Sequence, residues 1–207
     1  MRIEALVLGI GNLLWADEGF GVRAVEALHE GYRFPDAVAL MDGGTQGVYL
    51  LPYVEAARRL LVLDAIDCGL APGGLRVLRD GEIAATLGIG KMSLHQAGLV
   101  EVLALAALSG RAPEETVVVG VQPLELADFG GSLTAPVRER LPEAVSLSLS
   151  ILAGWGYAGA AREGAPAEPL QAPSLALDTY EAGRPSESEV CRTGDVRFLA
   201  LRDARGG

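Results

Sequence analysis

Residues 5–10 form an unbroken apolar run, and after a short loop Val22, Val25 and Leu28 recur at three-residue spacing within 22–29. A run followed by a period predicts a buried strand leading through a loop into a helix. The alternation repeats along the chain. After a turn around Pro35, residues 37–41 make a second short strand, and 48–58 read as a helix with Pro52 in its first turn. Residues 60–63 (Leu-Leu-Val-Leu) have the continuous apolarity of a strand covered on both faces. The next stretch, 65–74, carries glycines, a proline and no helical period, so it is too short and broken for a crossover helix. Residues 75–78 are therefore predicted to pair antiparallel at a sheet edge. A weakly patterned connection, 79–92, leads to an almost wholly apolar helix at 98–108, a last buried strand at 116–121 and an irregular loop at 122–132. Thr134 is placed to cap one long final helix, 135–157, with Pro136 in its first turn.

Strands alternating with helices predict an α/β three-layer sandwich: a twisted, mostly parallel five-stranded sheet with one antiparallel edge strand and helices on both faces. Residues 1–158 are assigned to this domain. From 159 to 207 the composition shifts to Ala, Gly, Pro and Glu, which predicts a mobile carboxyl-terminal tail.

The formal charge of -10 and pI near 4.7 change the picture of partners. Nucleic acid and anionic membrane surfaces both require basic patches, so neither is expected, whereas a metal cation is compatible. The most apolar later stretches fall short of the ~20 residues needed to span a bilayer, and the amino-terminal run is too short for a signal peptide. A cytoplasmic location is expected. Cys68 and Cys191 are too far apart for a C-x-x-C motif and read as free thiols.

The loop after the first strand reads Gly9-Ile10-Gly11-Asn12-Leu13-Leu14-Trp15-Ala16-Asp17-Glu18-Gly19-Phe20-Gly21-Val22. A dinucleotide fingerprint fails here: Leu14 replaces the third glycine, and Asp17 with Glu18 would repel a pyrophosphate at the start of the helix. The same carboxylates suit a cation. In an open α/β sheet Glu18, Asp42, Asp64 and His95 all fall on one rim, at the carboxyl ends of strands or the starts of helices. Two carboxylates and an imidazole form an oxygen-rich, thiolate-free set that suits a borderline divalent cation and leaves coordination positions open. Taken singly, each has a plainer reading: Asp17, Asp42 and Asp64 as caps or turn formers, His95 as a helix-start residue, His29 as a partner of its helix dipole. Ser93 near His95 does not make a serine hydrolase, because no Gly-x-Ser-x-Gly elbow is present.

Together, the glycine-rich loop with Asp17-Glu18-Gly19-Phe20-Gly21-Val22, then Asp42-Gly43-Gly44-Thr45, Asp64-Ala65, Ser93-Leu94-His95-Gln96, Gly120-Val121-Gln122-Pro123 and Leu133-Thr134-Ala135-Pro136, resemble the maturation endopeptidases of nickel-iron hydrogenases. The resemblance spans about residues 2–157. It implies an aspartyl-type hydrolase that removes a short carboxyl-terminal extension from the hydrogenase large subunit after nickel insertion. It also implies that Glu18, Asp64 and His95 contact nickel and serve catalysis, that the nickel belongs to the large-subunit precursor, and that Asp42, Gly43 and Gly44 shape the substrate cleft. Either an open position on the metal or a carboxylate base would activate water. Two other readings remain: a nucleotide-binding α/β protein, and a non-enzymatic nickel escort.

Overall fold

A computed structural model describes residues 3–87, 94–165 and 167–184, the side chains of 87 and 94–97 excepted. Its elements in order are β1 (Ile3–Ile10), α1 (Phe20–Gly31), β2 (Tyr32–Arg33), β3 (Val38–Gly44), α2 (Leu51–Ala56), β4 (Ala57–Ala65), β5 (Leu75–Arg79), α3 (Gly81–Leu87), α4 (Leu94–Leu108), β6 (Glu115–Val121), α5 (Ala135–Arg138), α6 (Leu141–Gly154), β7 (Ala160–Ala161) and α7 (Leu177–Ala182). The main sheet has five strands in the order β3-β1-β4-β6-β5. Every pairing in it is parallel except β5 with β6, which is antiparallel at the edge, as the short 65–74 connection requires.

Alternation along the strands divides the core in two. Ala5 and Val7 of β1 and Leu61 and Leu63 of β4 face α1 and α6, where Phe20, Val25, Leu28 and Leu152 are buried. Leu6 and Leu8 of β1 and Leu60 and Val62 of β4 face the opposite layer, against Val54, Leu99 and Val102 of α2 and α4. Strands apolar at every position are what a sheet covered on both sides demands.

The structure corrects several boundaries. The predicted 48–58 helix is a 3-10 turn (Gly47–Leu50) and the short α2, because Ala57 already pairs with Ile3 and Arg59 with Ala5 and Glu115. The strand starts in charged residues because its lower end reaches solvent: Arg58 bonds Glu4 and Glu114, and Arg79 bonds Glu115. The 79–92 connection contains α3. Its start is held by one local and one distant bond, as Glu82 accepts the Arg79 N–H at 3.0 Å and Asp80 accepts that of Thr116 in β6 at 2.9 Å. Helix α4 begins at Leu94 rather than Gly98. The single helix expected over 135–157 is two, since Pro142 has no N–H to donate to Arg138 and its ring crowds that carbonyl. Thr134 makes no side-chain cap.

Beyond Ala158 the described chain returns to the domain. β7 pairs antiparallel with β2, Arg162 donates to the carbonyls of His29 and Tyr32, and His29 Nε2 donates to Glu168 O at 2.8 Å. The predicted strand patch at 196–201 lies outside the described residues. Among the described residues no helix is long and apolar enough to cross a membrane.

Candidate active site at the carboxyl ends of the strands

The site begins with backbone contacts that only glycine permits. Gly11, just past β1, has φ +134°, and a Cβ there would collide with the carbonyl oxygen of Glu18. The Asn12 N–H donates to that oxygen at 3.2 Å, so the 3-10 turn Ala16–Gly19 folds back on the end of β1. Gly21, in the first turn of α1, lies against the carbonyls of Leu63 and Ile10, where a Cβ would overlap both. Glu18 is thereby set beside the ends of β1 and β4, and its turn packs on β4.

Asp64 is the penultimate residue of β4, opposite Gly120, and is completely buried, with Oδ1 accepting the Ala65 N–H at 2.8 Å. Glu18 is half-buried. On the other side of β1, Asp42 lies within β3 rather than after it: it pairs with Gly9, and an irregularity then sets Ile10 opposite Gly44. Its Oδ1 accepts the Gly44 N–H at 2.8 Å. Burial pushes the Asp42 carboxyl above its ordinary value, against the opposing pull of the Gly44 N–H and Arg23. Asp42, Gly44 and the 11–14 loop line a cleft of about 250 Å³. Gly43 is buried beneath it, where a Cβ would lie 3.3 Å from the Gly9 carbonyl oxygen.

His95 lies in the first turn of α4, and its side chain is outside the described residues, as are Met92 and Ser93. The helix itself reaches the rim: a Cβ on Gly98, one turn later, would stand 3.2 Å from the Cα of Gly47, just beyond the Asp42-Gly43-Gly44-Thr45 stretch. Glu18, Asp42 and Asp64 thus fall at or just beyond the carboxyl ends of three neighbouring strands, and the helix that carries His95 meets the loop after β3 at Gly98. Cys68, four residues past Asp64, is half-buried, and burial raises its thiol pKa.

Two residues whose roles sequence reasoning missed hold this edge together. Asp17, fully buried, does not cap α1. Its carboxylate instead accepts the N–H groups of Leu124 (2.8 Å), Glu125 (2.9 Å) and Thr134 (2.7 Å) and the Thr134 hydroxyl (3.0 Å). That bond explains why Thr134 is not a cap. Gln122 Oε1 accepts from the N–H of Cys68 at 2.8 Å and of Leu70 at 3.1 Å, fixing the loop after Asp64. With partners 52 to 117 positions away, no local spacing announces either role; only the shared family motifs hint at them.

A family model described as hydrogenase maturation protease matches residues 22–151. The chain is 58% identical over 194 residues to the hydrogenase expression/formation protein HoxM of Azotobacter vinelandii, covering 94% of this chain and 93% of that one. This chain belongs to the hydrogenase maturation protease family. Within the family it is 42% identical over 164 residues to the hydrogenase 2 maturation protease of Escherichia coli, a match that takes 79% of this chain and 98% of the other. Among solved structures, the E. coli hydrogenase maturating endopeptidase HybD superposes with a TM-score of 0.73 at 39% identity, over 78% of this chain and 98% of its own. A match over 94% of 207 residues necessarily includes positions 173–184, whereas about a fifth of this maturation protease has no counterpart in the E. coli hydrogenase 2 protease.

Two outcomes follow for this edge. Asp17→Ala removes the charged acceptor shared by three part-buried N–H groups and a hydroxyl; hydrogen bonds to a charged group are each worth about 1.5–3 kcal/mol, and with water able to replace some of them urea unfolding is expected to show a loss of about 2 kcal/mol. Asp42→Asn keeps an acceptor for Gly44 and removes a charge that burial disfavours. At pH 7 the variant is expected to melt no lower than the parent. Because the folded-state pKa of Asp42 is raised, protonation stabilises the parent, and the gap should close as pH falls through that raised value toward the ordinary 3.8. Thermal melts across pH check this.

Proposed function

We propose that this maturation protease removes the carboxyl-terminal extension of a nickel-iron hydrogenase large subunit once nickel is in place, and that Glu18, Asp64 and His95 read the nickel carried by that substrate. The observation that supports this reading is the seating of the Glu18 turn on β4, the strand that carries Asp64 near its end, with Gly21 against the Leu63 carbonyl. Two carboxylates offer hard oxygen donors and together balance a dication's charge. Nickel docked against them would hold the scissile peptide at the rim. Water attack on its carbonyl then needs a proton acceptor, which a rim carboxylate or a hydroxide on the substrate's nickel supplies.

The surface around the rim suits a folded protein. Leu14, Val48, Tyr49, Leu70, Leu124 and Phe129 are exposed by 40% to 77%, and they lie on the loops after β1, β3, β4 and β6 that surround the site. Exposed apolar side chains gathered about one site favour a macromolecular partner over a small molecule. A nucleotide-binding reading is disfavoured by the first loop itself. Its amides are already engaged, Gly11 N–H with Gly44 O at 3.0 Å, Asn12 N–H with Glu18 O, and Leu14 N–H with Asn12 Oδ1, leaving none of these to cradle a phosphate.

Glu18→Ala and His95→Ala are expected to keep the parent's circular dichroism and melting temperature while abolishing release of the extension from a nickel-loaded precursor, followed by gel shift. Full processing by both variants would remove the assignment.

A further inference from the structure

We propose that residues 173–182 form a wall of the substrate cleft that sets which large subunit this protease accepts, with Leu175 as the specificity-determining side chain. The inference rests on the proposed function and adds to it a segment outside the α/β core.

The segment is fastened across the rim at both ends. At one end is Arg23 of α1, only 4% exposed, whose guanidinium donates to Leu175 O at 2.5 Å and to Glu26 at 2.9 Å and lies 5.8 Å from the centre of the Tyr180 ring. A cation buried to this degree needs its acceptors, and one of them is the backbone of this segment. At the other end, Glu181 accepts two bonds from Arg138 of α5, at 2.8 and 2.7 Å, and one from the Ser132 hydroxyl at 2.7 Å. Tyr180 adds a hydroxyl bond to Gly131 O at 3.3 Å. The segment therefore runs from α1 to the loop that follows β6, the same loop that Asp17 holds.

Between these attachments Leu175 lines the cleft that also takes in Leu13, Leu14, Val22 and Asp42. A segment serving only to cover the core would fill this space; here Leu175 stays half-buried and about 250 Å³ remains open beside it. The opening is lined by the apolar Leu13, Leu14, Val22 and Leu175 and by the polar Asn12, Asp42 and Thr45, which suits an extended polypeptide that inserts an apolar side chain between Leu175 and the 11–14 loop while its backbone meets the polar groups. The HoxM protein of A. vinelandii aligns through this segment, while the E. coli hydrogenase 2 protease is too short to match the whole chain. A wall that narrows the opening beside Leu175 would distinguish among large subunits by what their chains can insert there.

The test uses the full-length protein and a nickel-loaded large-subunit precursor. Leu175→Trp narrows the opening and Leu175→Gly widens it. KM for the precursor is expected to rise about tenfold or more for the tryptophan variant, with kcat and melting temperature close to the parent's. A photo-reactive phenylalanine at position 175 should crosslink to the precursor, and the same probe at Leu108, exposed at the far end of α4, should not. Parental KM for both variants together with no crosslink from position 175 overturns the proposal. If the parent fails to cleave the precursor at all, the proposed function has failed. The crosslink then decides the wall by itself: capture of the precursor at 175 alone supports it, and no capture ends it.

Discussion

The structure depends on a close approach of backbone to backbone. The turn carrying Glu18 and the first turn of α1 rest directly on the carbonyl ends of β1 and β4, at Gly11 and Gly21, with no side chain between. Parallel register alone would bring strand ends level, but it would leave the connecting loop free to stand away from them. Removing the side chains lets the loop collapse onto the sheet, so a glutamate in a loop acquires a position as defined as that of an aspartate in a strand. The glycines that resemble a nucleotide-binding loop serve a different purpose here: they bring an acidic segment in, where a phosphate loop would turn its amides out.

The remaining loops are secured to this one by polar groups that cannot reach water. Asp17 binds the loop after β6 through three backbone N–H groups and a hydroxyl, Gln122 binds the loop after β4, and the Gly11 N–H ties the first loop to the end of β3. A buried carboxylate with four donors is charge-assisted and costly to disturb, so the first loop and the loop after β6 are held to one another. Neighbouring acids in one motif thus divide the labour. Asp17, fully buried, is committed to architecture, and Glu18 stays half-buried.

The sheet was legible in the sequence because β1, β4 and β6 are covered on both faces and show it as uninterrupted apolar runs, and because the interval before β5 was too short to permit a parallel return. Strand ends then located Glu18, Asp42 and Asp64 on one edge. What escaped was whatever depended on distant partners or on a single residue within a pattern. Helix α3 buries mainly Ile83 and so has no visible period, Pro142 divides a stretch that is apolar throughout, and Asp17 looks like an ordinary helix cap until Leu124 and Thr134 are brought to it. The contacts of 160–184 were hidden for the same reason, since a composition rich in alanine, glycine and proline says nothing of the arginines at positions 23 and 138 that receive it.

On the proposed function, this rim recognises a metal ion borne by its protein substrate. The most direct test is to incubate the protein with one hydrogenase large-subunit precursor, prepared with and without nickel, and to look for the released carboxyl-terminal peptide by mass spectrometry. Release from the nickel-loaded form alone is the predicted result. Equal release from the nickel-free form would contradict the claim.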